Sequence, residues 1–128
     1  MSVSTNAANN NSQFFSGNLV NGNLMVSWLP GVTAFNSQAF IMYLLLGGTN
    51  LDMRYMYSVA HQGFGGVGFA NLITTIRAFN NTAGVYTFNS LSVNASGQII
   101  LNSTITSGSF QYTARLTPYG SRFLVRNV

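Results

Sequence analysis

The chain runs to 128 residues and holds five arginines, one aspartate and one histidine, with no lysine, glutamate or cysteine. Charged residues make up 5% of it, against roughly 25% in an ordinary soluble domain. Those numbers exclude a disulfide framework, a cysteine-ligated metal and a pair of catalytic carboxylates within one chain, and the 47% hydrophobic content opposes disorder.

Residues 1–13 are rich in asparagine and small side chains and read as a flexible polar arm, leaving 14–128 as one domain. Phe14–Val20 and Leu24–Leu29 flank Asn21-Gly22, a dipeptide that supplies positive φ, so a two-residue hairpin is expected there. Pro30-Gly31 breaks the chain. Phe40–Leu46 is an unbroken apolar run closed by Gly47-Gly48, which predicts a strand buried on both faces. Met53–Ala60 mixes apolar residues with tyrosines, and Gly63–Phe69 is glycine-rich. Residues 70–79 carry helical spacing in Leu72, Ile73, Ile76 and Phe79, but the threonines and isoleucines favour a strand.

The last third alternates more cleanly. Val85–Val93 leads into a turn at Asn94-Ala95-Ser96-Gly97, and Ile99, Leu101 and Ile105 then share one face. After Ser107-Gly108, Phe110, Tyr112, Ala114 and Leu116 point one way and Gln111, Thr113, Arg115 and Thr117 the other. Pro118-Tyr119-Gly120 turns the chain into Arg122–Val128. About eight short strands with frequent turn signals predict an all-β, single-domain antiparallel β-sandwich of jelly-roll-like character.

Motifs that could carry chemistry lack their context. Gly63-Phe64-Gly65-Gly66-Val67-Gly68 has the spacing of a dinucleotide loop, but such a site needs a following helix and a downstream acid for the ribose. The single acid, Asp52, lies upstream. A loop, or a place where another backbone approaches closely, is the expected reading. Asp52 and His61 could join a serine in a triad, yet no G-x-S-x-G elbow occurs. They also fall short of the three protein ligands of a catalytic metal. Four N-x-[ST] sequons, at Asn10, Asn80, Asn94 and Asn102, are what this asparagine-rich composition produces by chance. The expectation is a non-enzymatic protein with no cofactor.

The sequence pI near 10.0 records missing carboxylates rather than dense positive charge. Five arginines give at most a weak nucleic-acid contact. No apolar run is long enough to span a bilayer as a helix. The candidate contact residues are therefore the tyrosines with polar tips and the C-terminal arginines: Tyr43, Tyr55, Tyr57, Tyr119, Arg115, Arg122 and Arg126. Such rings stack sugars and also anchor protein interfaces.

A surface with so little charge matches the balance of protein interfaces, enriched in Tyr, Phe, Met and Arg and depleted in Lys and Glu. The expected function is a structural subunit that self-assembles into a shell, fibre or surface layer, a viral coat or capsid protein foremost. Such a homo-oligomer would be made in the cytosol without a Sec signal and would reside in a virion or extracellular particle. The alternative is a carbohydrate-binding, lectin-like or receptor-binding module.

Overall fold

The computed structural model describes residues 12–29, 38–62 and 66–118. Among these residues, eight antiparallel strands and no helix form two sheets. The strands are β1 (Gln13–Asn18), β2 (Gly22–Trp28), β3 (Gln38–Gly48), β4 (Leu51–His61), β5 (Gly68–Asn80), β6 (Tyr86–Val93), β7 (Gln98–Ile105) and β8 (Phe110–Pro118). One sheet has the order β1-β8-β3-β4-β5 and the other β2-β7-β6. The β3-β4-β5 meander, with β8 returning beside β3, is a Greek-key order, and the connection from β5 to β8 passes through the second sheet. The chain is thus the single-domain β-sandwich its turn spacing predicts.

Alternation builds the core. Phe40, Met42, Leu44 and Leu46 of β3, the odd positions of β4, and Phe110, Tyr112, Ala114 and Leu116 of β8 are buried against Val93, Ile99 and Leu101 of the smaller sheet. Two tilted ring pairs cross between sheets: Tyr55 with Phe88 and Tyr86 with Phe110, each with centroids 5.1 Å apart. Tyr86, 1% exposed, also places its hydroxyl 2.9 Å from the buried Ser103 hydroxyl, so its polar tip is satisfied inside. The predicted turn at residues 94–97 is present. Asn94 Oδ1 accepts from the Ser96 and Gln98 amides at 3.0 Å, and Gly97 supplies φ of 80°.

Three expectations change. The Asn21-Gly22 turn exists, with Gly22 at φ 104°, but β1 and β2 do not pair with each other. β1 pairs with β8 and β2 with β7, so the turn is a corner between sheets. It is held by the Leu19 amide on the Phe110 carbonyl (2.8 Å) and the Ile105 amide on Asn21 Oδ1 (2.9 Å). The corner places Phe15 of β1 and Val26 of β2 against the core from different sheets.

β3 is buried on one face only: its even positions are inside, while Ile41, Tyr43 and Leu45 are half-buried on the outer face of the five-stranded sheet. The third change concerns Tyr55 and Tyr57, which lie in the core at 8% and 7% exposure and offer no ring to a surface ligand. Both occupy odd positions of β4, and the one-in-two rule of a strand turns them inward with Met53 and Val59. Burial pushes both hydroxyl pKa values up.

Of the expected arm, residues 1–11 lie outside the described residues. Ser12 and Gln13 already belong to the sheet edge, where the Ser12 and Thr117 hydroxyls are 2.7 Å apart. Residues 70–79 are strand, within β5.

Candidate contact face

Among the described residues, the outer face of the five-stranded sheet gathers the arginines and the exposed Phe14, Phe69 and Phe79. Its register sets Tyr43 of β3 directly opposite Arg115 of β8, and Arg115 in turn opposite Phe14 of β1. The Arg115 guanidinium sits 4.5 Å from the centre of the Tyr43 ring, a cation–π contact. Its Nε is buried without a hydrogen-bond partner among the described residues. Around this stack, Phe14, Leu45, Arg54, Ile76 and Thr113 shape an open groove of about 370 Å³. Phe14, at 71% exposure, is a large apolar side chain mostly in water.

Beside the groove the single aspartate has a structural task. Arg54 of β4 and Arg77 of β5 face each other directly across the pair, and like charges in that position repel. Asp52 resolves the conflict. It takes Arg54 Nε at 2.8 Å and Nη2 at 3.0 Å, and Arg77 Nε at 2.9 Å. The hydrogen bonds from Arg54, helped by its charge and by Arg77, hold the Asp52 carboxyl below its ordinary value, against the opposing effect of desolvation. The Arg77 guanidinium also lies 5.4 Å from the Phe79 ring.

Asp52 and His61 are not brought together. They stand nine positions apart on one strand, about 30 Å at ~3.3 Å per residue, and on opposite faces. His61 is buried, and its Nε2 is 2.6 Å from the Ala95 carbonyl oxygen. The glycine-rich stretch resolves partly: residues 63–65 lie outside the described residues, while Gly68 marks a close backbone approach. A Cβ there would run into the backbone oxygens of Val93 and Asn94.

Of the seven sequence-derived contact residues, the fold unites Tyr43 and Arg115 and withdraws Tyr55 and Tyr57. Tyr119, Arg122 and Arg126 lie outside the described residues. Sequence reasoning passed over Phe14, Arg54 and Arg77. The usable signal was Asp52-x-Arg54, whose spacing of two puts acid and base on one strand face.

No protein-family model and no curated protein matches this chain. Its function is therefore argued from its own surface.

Proposed function

We propose that the protein is a non-enzymatic structural subunit that assembles with copies of itself into a shell, fibre or layer, as the coat protein of a virion or extracellular particle does. One observation carries the reading: β5, a 13-residue edge strand, leaves Phe69, Leu72, Ile73, Ile76 and Phe79 between 41% and 53% exposed. Soluble monomers protect long edges with lysine, proline or shortness, and this chain contains no lysine at all. The half-buried apolar side chains of β3 and the exposed Phe14 extend the same character across the outer face. Such a surface gains free energy by leaving water, and other copies are the partners always present at matching concentration.

The test is mass and morphology. Light scattering and negative-stain microscopy at physiological salt should find particles, fibres or defined oligomers. A monodisperse monomer at high concentration would overturn the proposal.

The Tyr43–Arg115 stack supports a second reading, a glycan-binding face. A tyrosine ring and a guanidinium bordering an open groove are the kind of platform that stacks a sugar and binds its hydroxyls. A glycan array should then show hits that Tyr43→Ala abolishes while the fold, followed by circular dichroism, is unchanged. An array without hits removes this reading and leaves the first intact.

A further inference from the structure

The assembly reading leaves open which surface joins which, and β5 answers that question in its own sequence. Among the described residues β5 pairs only with β4, so its other edge presents a row of free backbone donors and acceptors. It is the longest strand among the described residues, and Gly68–Asn80 contains no proline. Its protective devices are one charged side chain, Arg77, and a pair of bulges: 13 residues run beside the 11 of β4, with Ile73 and Ile76 as the unpaired extras. Both irregularities sit in the middle, and the two ends stay in regular register.

Read backwards, the strand nearly repeats itself. Laid antiparallel on a copy of itself about Thr74, Phe69 meets Phe79, Ala70 meets Ala78, Asn71 meets Arg77 and Leu72 meets Ile76. A twofold interface demands this kind of self-complementarity, because residue i of one copy meets j of the other and j meets i. The register also respects the faces of the sheet. Phe69 and Phe79 stand opposite Ala60 and Asp52, even positions of β4 that face outward, whereas Ala70 and Ala78 stand opposite the inward-facing Val59 and Met53. Outward residues therefore meet outward ones and inward residues inward ones. Sliding the copy by one pairing step in either direction loses the match, placing Phe79 against Asn71 or Phe69 against Arg77. In the centred register the positive Arg77 meets a neutral amide, so no like charges oppose.

We propose that β5 pairs antiparallel with β5 of a second copy about a twofold axis at Thr74, joining two five-stranded sheets into one of ten. The junction rests on the assembly reading and gives that reading its first contact. The five large apolar side chains of β5 leave about 450 Å² per copy in water, taking roughly 200 Å² for each whole side chain. Two copies together expose roughly 900 Å² of apolar side chain along this edge, part of which the junction covers while it adds a new backbone ladder.

The absence of cysteine makes the test direct, since an introduced thiol is the single one in the chain. Thr74→Cys sits on the axis, where opposed Cβ atoms are about 5 Å apart, and a short bismaleimide should link nearly all of it into covalent dimer. Phe79→Cys lies ten positions from its own copy, about 33 Å along the strand, and should not link. Thr74→Lys, at an exposed position, should keep the fold by circular dichroism and lose the dimer by light scattering. Efficient linking of Phe79→Cys but not Thr74→Cys would overturn this register. A Thr74→Cys protein that assembles yet does not link would overturn the junction and leave the assembly reading standing. A parent protein that is monomeric throughout would remove both.

Discussion

Single residues in this fold are constrained more by neighbours than by type. Asp52 stands between two arginines that would otherwise repel, so the one acid of the chain is committed to holding β4 and β5 together. Gly68 is constrained by space. It begins β5 at the point where that strand passes the end of β6, against the backbone of Val93 and Asn94. A methyl group there must displace main chain rather than a flexible side chain. Gly68→Ala should therefore cost about 2–3 kcal/mol, the usual penalty for forcing volume into a packed site. Urea denaturation followed by tryptophan fluorescence would measure it, through a lower midpoint at unchanged slope. Gly84→Ala provides a contrast: nothing lies within 4 Å of its Cβ, and any cost there comes from its φ of +84°. Equal penalties at both sites would show that backbone conformation, not the contact with β6, governs Gly68.

At the level of elements, the sequence was most legible where one face is buried and the other wet. β8 alternates from Phe110 to Leu116 and the structure follows that alternation residue by residue. The Asn94–Gly97 turn was equally legible, because asparagine and glycine there act through bonds to their own neighbourhood. What escaped was pairing at a distance. Asn21-Gly22 has the chemistry of a hairpin, but a positive φ fixes only a local reversal and not which sheet receives the next strand. β3 escaped for a different reason. A continuous apolar run means that both faces shun water, and the described residues fully bury only one of them. The same holds for β5, whose apolar residues gave a helix-like spacing because two bulges interrupt the period of two. Tyr43 and Arg115 were recognisable as contact residues by type, but their union on one face depends on the β3–β8 register, which no local pattern encodes. Tyr55 and Tyr57 looked alike in sequence and are core residues because of the parity of β4.

For the molecule as a whole, scarce charge dictates how stability varies with pH. On the acid side the coupled group is Asp52, whose folded pKa is lowered by Arg54 and Arg77. Its contribution is present above the unfolded value near 3.9 and fades as pH falls through the lowered folded value; an exposed ion pair makes that loss small. The alkaline side is different in size. Burial raises the hydroxyls of Tyr55, Tyr57, Tyr86 and Tyr112, and Tyr86 is pushed up to about 12. An unfolded tyrosine ionises near pH 10. The stability linked to Tyr86 is therefore whole below that value and is lost as pH climbs toward 12. The difference amounts to about 3 kcal/mol, set against a total of roughly 5–15 kcal/mol for a typical domain. Thermal unfolding should show a Tm almost constant from about pH 4 to 9, a slight decline below, and cooperative collapse above about pH 10 that coincides with a rise in tyrosinate absorbance. Tyr86→Phe should lower Tm at neutral pH, because the buried Ser103 hydroxyl loses its partner. It should then lose less than the parent between pH 10 and 12, so the two curves converge. A change above about 15 °C within the plateau, about 4 kcal/mol for a domain of this size, would mean that titrating groups other than these control the fold.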